Sequence, residues 1–154
     1  MLEIKTFVFG PFYTNTFVVS DEHHILLIDP ACYTQYEQHQ LYTYIESIRP
    51  KADLSIVATH GHLDHLWGAK WATEQYHTPV LMHEADIPLA QDMQSQYDLF
   101  GIPGTPEPFP IEGIQNTEHR IQTNNVAKIF LIINKLFDIQ QMIRTMPARG
   151  YGKR

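Results

Sequence analysis

Ala58–His65 reads ATHGHLDH and places three histidines and an aspartate in the six positions from His60 to His65. The preceding run LSIVAT, Leu54–Thr59, is short, apolar and rich in β-branched residues, as a buried strand is. The following run LWGAKWATEQYH, Leu66–His77, reads as a helix. The cluster therefore leaves the C-terminal end of a strand and enters a helix, the place where α/β sheets present ligand-binding loops. Imidazole nitrogen and carboxylate oxygen suit zinc, iron and manganese. His60 and His62 lie two apart, so in an extended loop both side chains project to one side. Asp64 and His65 are adjacent as the chain turns into the helix, so they diverge. This spacing suits two metal positions, one taking His60 and His62, the other Asp64 and His65. Gly61 allows the backbone to bend between the first two without a Cβ penalty. The plain alternative is a polar loop that caps a helix, with Asp64 as the cap.

Outward from this stretch the chain alternates strands and helices. LEIKTFVFG (Leu2–Gly10) has a strand's alternation, and GPFYTN (Gly10–Asn15) supplies turn chemistry. TFVVS and ILLID read as two further strands around the polar turn DEHH. Thr34–Ile48 carries apolar or aromatic residues at Tyr36, Leu41, Tyr44, Ile45 and Ile48, a helical spacing. PVLMH (Pro79–His83) reads as a strand, and EADIPLAQDMQSQYDLF (Glu84–Phe100) as a helix whose Pro88 sits near its start or kinks it. A front meander followed by strand–helix repeats predicts a layered α/β domain.

Of the 154 residues 44% are hydrophobic and 12% aromatic, as in a folded globular domain. Cys32 is the single cysteine, which excludes an internal disulfide and favours a reducing, cytoplasmic setting. No signal peptide is read at the N-terminus, and no run of about 18 apolar residues suggests a membrane span. Charge is uneven. Met1–Pro110 has 4 Lys and Arg against 14 Asp and Glu, whereas Ile111–Arg154 has 7 against 3. The acidic front gives no reason to expect nucleic acid. The change falls at GIPGTPEPFP, Gly101–Pro110, so the chain is read as a unit over 1–110 and a divergent basic tail over 111–154. Within that tail Val126–Met146 has the apolar spacing of a wide-faced amphipathic helix. It would pack on the front sheet, with a membrane surface or a partner as the other reading.

THGHLDH, Thr59–His65, resembles the HxHxDH signature of the metallo-β-lactamase fold superfamily. GPFYTNTFVV (Gly10–Val19) resembles that family's early strand with its Thr-Asn pair. LLIDPAC (Leu26–Cys32) resembles the strand ending in Asp-Pro-Gly, with Ala31 where glycine is usual. PVLMHEAD (Pro79–Asp86) resembles the strand and helix after the signature in the glyoxalase II-like branch. The resemblance spans about residues 2 to 110, and HxHxDH is its specific part.

This resemblance implies an αββα sandwich with a metal site at one edge, here incomplete and followed by the amphipathic helix. Carried over, His60 and His62 match ligands of a first metal, and Asp64 and His65 match ligands of a second. Asp29 matches a carboxylate that orients the ligand loop from behind. The implied chemistry is hydrolysis of a small-molecule ester or thioester by a hydroxide shared between two ions about 4 Å apart, with Asp64 orienting the nucleophilic water. The implied cofactor is one or two zinc ions, or iron or manganese. The family pattern also needs a histidine, a bridging aspartate and a last histidine downstream. After Pro110 only His119 and Asp138 are of those types, and neither follows a strand in a matching context. Each metal position is thus expected to keep two protein ligands and to hold its ion weakly. A metal-binding or interaction module without turnover is the alternative function. The uncovered strand faces suggest a homo-oligomer.

Overall fold

The computed structural model describes residues 1–48 and 52–114. Strands β1 (Glu3–Phe9), β2 (Thr14–Ser20), β3 (His24–Ile28), β4 (Asp53–Val57), β5 (Val80–His83) and β6 (Ile111–Ile114) form one sheet in the order β1-β2-β3-β4-β5-β6. β1, β2 and β3 pair antiparallel through the two front turns. From β3 onward the pairing is parallel, because each return carries helices: α1 (Gln35–Ile48), then α2 (Leu63–Leu66) with α3 (Ala69–Tyr76), then α4 (Ile87–Gln91) with α5 (Met93–Phe100). This is the mixed α/β class expected. β6 lies beyond Pro110, so the sheet continues past the position where the composition changes.

The two-residue period of the strands gives the sheet two different faces. One carries the cross-strand row Val18, Leu27, Ile56, Val80 and Ile111. The helices bury their apolar stripes on that side, through Leu41 and Ile45 of α1, Leu63 and Leu66 of α2, Ala69 and Ala72 of α3, and Met93 of α5. The opposite face carries Phe17, Ile28, Val57 and Leu81 in one row, beside Val19 and Leu26. Val19, Leu26, Ile28 and Val57 form a second buried cluster there.

Two helices predicted as continuous are interrupted. Leu66–His77 is broken between α2 and α3 at Trp67 and Gly68, and α2 already begins within the histidine motif. Glu84–Phe100 is divided into a 3-10 turn (Glu84–Asp86), α4 and α5, with Pro88 in the first turn of α4 where its missing N–H is harmless. The Val126–Met146 helix, with His119 and Asp138, lies outside the described residues.

Candidate metal centre

Because β3, β4 and β5 run parallel, the segments that follow them collect at one sheet edge. Asp29 follows β3, Thr59–His65 follow β4, and His83–Asp86 end β5 and begin the next turn. Backbone bonds from Asp29 N–H to Val57 O (2.8 Å) and from Ala58 N–H to Leu81 O (2.9 Å) lock these exits together.

Asp29 is the hub. It is buried and takes a left-handed conformation, φ 52°, which turns the chain sharply at the strand end. Its Oδ1 accepts from Thr59 N–H at 2.7 Å. Its Oδ2 accepts from the Thr59 hydroxyl at 2.7 Å and lies 2.9 Å from His65 Nδ1. The Thr59 hydroxyl also lies 2.9 Å from His60 Nδ1. Two of the three motif imidazoles are therefore oriented through their Nδ1 atoms by one carboxylate, one directly and one through a hydroxyl. Burial alone would lower the pKa of His65, but the hydrogen bond and charge of Asp29, with the charge of Asp64, outweigh it and raise that pKa above the ordinary imidazole value.

The motif residues come together after β4. The rings of His60 and His62 have centroids 4.6 Å apart, and those of His60 and His65 only 4.1 Å apart. His60 thus approaches both of the other rings. Asp64 Oδ2 lies 3.4 Å from His65 Nε2 and accepts from the Thr14 hydroxyl at 2.6 Å. His60 is buried, His65 and Asp64 are half-buried, and His62 is exposed. The capping alternative is not how the loop is used. His62 occupies the N-cap position of α2 without a side-chain cap bond, and Asp64 lies inside the first turn.

Gly61 serves a different purpose from the bend expected of it. A Cβ there would sit 2.7 Å from Ala90 N and from Asp86 O, so the glycine lets the ligand loop lie directly on α4 and the turn before it. That contact is bonded as well. Gly61 N–H donates to buried Asp86 Oδ1 at 3.0 Å, and Gln96 of α5 accepts from Leu63 N–H at 2.9 Å while donating to Gly61 O at 3.1 Å. Thr14, Asp86 and Gln96 were not singled out as site residues. Thr14 belongs to the Thr-Asn pair, a visible signal, whereas nothing in the local pattern marks Gln96. His83 caps the 3-10 turn by accepting from Ala85 N–H at 3.1 Å.

The donor set suits a metal in kind, being imidazole and carboxylate with their far atoms held from behind. Among the described residues no group of three or more His, Cys, Asp or Glu side chains is arranged to hold an ion.

With fold and site in view, comparison with known proteins assigns the class. The metallo-beta-lactamase superfamily model matches residues 9–132, and the chain belongs to that superfamily, most of whose members are metal-dependent hydrolases. Among individual proteins it is 31% identical over 91 residues to an uncharacterized protein of Aquifex aeolicus (strain VF5), a match covering 58% of this chain and 40% of that one. Its fold is similar to the BLEG-1 B3 metallo-beta-lactamase, with TM-score 0.60 and 22% identity over 75% of this chain and 55% of that one. It is equally similar to TTHA1623, solved in a di-iron-bound form, with TM-score 0.60 and 23% identity over 75% and 56%. The chain thus spans well under two thirds of the length of these relatives. No described helix is long and apolar enough to cross a membrane.

Proposed function

We propose that the chain is a metal-dependent hydrolase of the glyoxalase II-like kind, cleaving small-molecule esters or thioesters at the C-terminal end of β4. His60 and His62 would hold one ion and Asp64 and His65 a second, with zinc the expected metal and iron or manganese the alternatives. The observation that carries this reading is the Asp29–Thr59–His60–His65 arrangement. A buried carboxylate that fixes ring orientation through Nδ1 leaves Nε2 as the ligating atom, which is how histidine ligands are commonly supported. An ion bound there would supply Lewis acidity, acidifying water and polarising a carbonyl oxygen.

The protein's own contribution follows from its residues. Asp29 and Thr59 keep two rings from rotating, so little ordering is needed when a ligand arrives. Thr14 donates its hydroxyl to Oδ2 of Asp64 and so holds that carboxylate beside His65. The half-buried setting of His65 and Asp64 strengthens the electrostatic interactions among these groups.

Among the described residues no third donor is grouped to hold an ion, which favours a second reading, a module that binds metal or a partner without turnover. Two measurements separate them. Elemental analysis after extensive dialysis should find less than one zinc per chain, because a catalytic zinc normally has three protein ligands. Ester and thioester turnover with added zinc should be slow and should vanish in His62→Ala and Asp64→Ala. Two tightly held zincs would reject the depleted-site reading. Turnover indifferent to both substitutions would reject the site, and no turnover in any form would favour the module.

A further inference from the structure

We propose that Gln96 is a positioning residue for the first metal position: its carboxamide brackets His62 through the backbone and so aims that imidazole. The proposal rests on the hydrolase reading above. Asp29 and Thr59 reach the rings of His60 and His65 through their Nδ1 atoms. His62 is the exposed histidine of the motif, and it stands at the N-cap of α2 with extended backbone, φ −72° and ψ 143°. The direction of a side chain follows its backbone, so what holds the backbone of His62 decides where its ring can meet an ion.

Gln96 belongs to α5 and is buried. Its Oε1 accepts from Leu63 N–H at 2.9 Å and its Nε2 donates to Gly61 O at 3.1 Å. One amide thus bonds the residues on both sides of His62, the pattern with which a residue of a parallel strand brackets its partner. β4 itself ends at Val57, so here a side chain supplies the pattern. The same Nε2 donates to Leu89 O of α4 at 2.9 Å, which ties the bracket to a second helix. Gly61 N–H donates in turn to buried Asp86 Oδ1 at 3.0 Å. Gly61 N–H, Gly61 O and Leu63 N–H are therefore all held by two buried side chains.

The bracket requires an amide. Turned over, the Gln96 side chain would set its NH2 against Leu63 N–H and its oxygen against two carbonyls. A carboxylate would meet the same carbonyls with no proton to donate. Leu63 N–H is also the first of α2, a helix of four residues whose N-cap side chain makes no cap bond. Such an N–H needs an acceptor from outside the helix, and Gln96 Oε1 is that acceptor. The start of α2 and the aim of His62 thus depend together on one residue of α5. A ligand held this way needs little ordering when an ion arrives.

A double-mutant cycle on zinc affinity tests the role, measured by competition with a calibrated chelator. Gln96→Met keeps the length of the side chain and removes its three bonds. It is expected to weaken zinc binding by about 10- to 100-fold, the usual effect of altering a group behind a ligand. In the His62→Ala background the same change should alter the remaining affinity by less than about twofold, because Gln96 acts through His62. Gln96→Asn, an amide one methylene too short, should follow Gln96→Met and replaces it if methionine disturbs folding, which circular dichroism monitors. Equal losses with and without His62 would make Gln96 a general support of the loop and overturn the proposal. So would parent-like affinity in both variants, or failure of both to fold. A parent chain that binds no zinc, or whose zinc affinity is untouched by His62→Ala, would discard the metal site itself and this role with it.

Discussion

At Asp29 one side chain serves backbone geometry and site electrostatics together. Asparagine tolerates the same left-handed φ, so Asp29→Asn keeps the turn while removing the charge. It is expected to weaken zinc binding by about 10- to 100-fold, the usual consequence of altering the group behind a ligand histidine. Competition with a calibrated chelator measures this, and unchanged affinity would show that His65 is positioned by packing alone. Gly61 gives the complementary case, where a missing atom is the function. In Gly61→Ala the new methyl meets backbone atoms of Asp86 and Ala90, which cannot rotate away as a side chain could. The cost is expected to reach about 1–3 kcal/mol of overpacking. Chemical denaturation of metal-free protein reads it directly, and a variant as stable as the parent would mean that α4 shifts freely.

Helix α1 shows how an element's start is decided by its first turn. Thr34 and Glu37 form a reciprocal cap. The Thr34 hydroxyl accepts from Glu37 N–H at 3.2 Å, and Glu37 Oε2 accepts from Thr34 N–H at 2.9 Å. The same carboxylate accepts from Tyr33 N–H and, through Oε1, from Gly10 N–H across the molecule. Burial would raise the pKa of Glu37, but the bonds from Gly10, Thr34 and Tyr33 outweigh it and hold it below the ordinary glutamate value. A depressed carboxylate contributes stability that is full above its unfolded pKa and is lost as pH falls through its lower folded pKa. Glu37→Gln should therefore lose about 1 kcal/mol at neutral pH, the scale of a helix cap. It should also show a smaller drop in stability on acidification than the parent. Thermal unfolding between pH 7 and pH 3 tests this, and parallel curves would contradict it.

The helix over Thr34–Ile48 was legible because apolar periodicity is local. The break at Gly68 was not. Gly68 N–H donates to Pro30 O at 2.7 Å, and a Cβ there would collide with Cys32 Sγ, so the interruption comes from a loop 36 residues upstream pressing on the helix. The site divides in the same way. The ligand types and the parallel-strand edge were visible in HxHxDH and the strand order, and Asp29 through the resemblance at LLIDPAC. That the His60 ring lies close to those of both His62 and His65 was not visible, since ring spacing depends on how Thr59 and Asp29 meet across two strands.

For the whole molecule the open question is the second sheet face. Val19, Leu26, Ile28 and Val57 are each no more than 5% exposed. Yet the partly buried residues packed against them are Leu2, Phe17, Leu81 and Ile114, from the strands themselves or next to one. The helices α1 to α5 bury their apolar residues in the other cluster. On β1, at the margin of this face, Ile4 and Val8 remain exposed. A sheet face of this composition needs an apolar cover, since a bare patch of this kind drives association. The amphipathic pattern over 126–146 has the composition to provide one. Deleting 126–146 is therefore expected to convert the protein into a concentration-dependent oligomer or an aggregate, seen by light scattering, while the full chain scatters less at equal concentration. If the shortened chain is a compact soluble monomer, that segment does not cover the face. If the full chain is instead a stable oligomer that Ile4→Lys or Val8→Lys dissociates, a second copy covers the β1 margin and the tail is left for another partner.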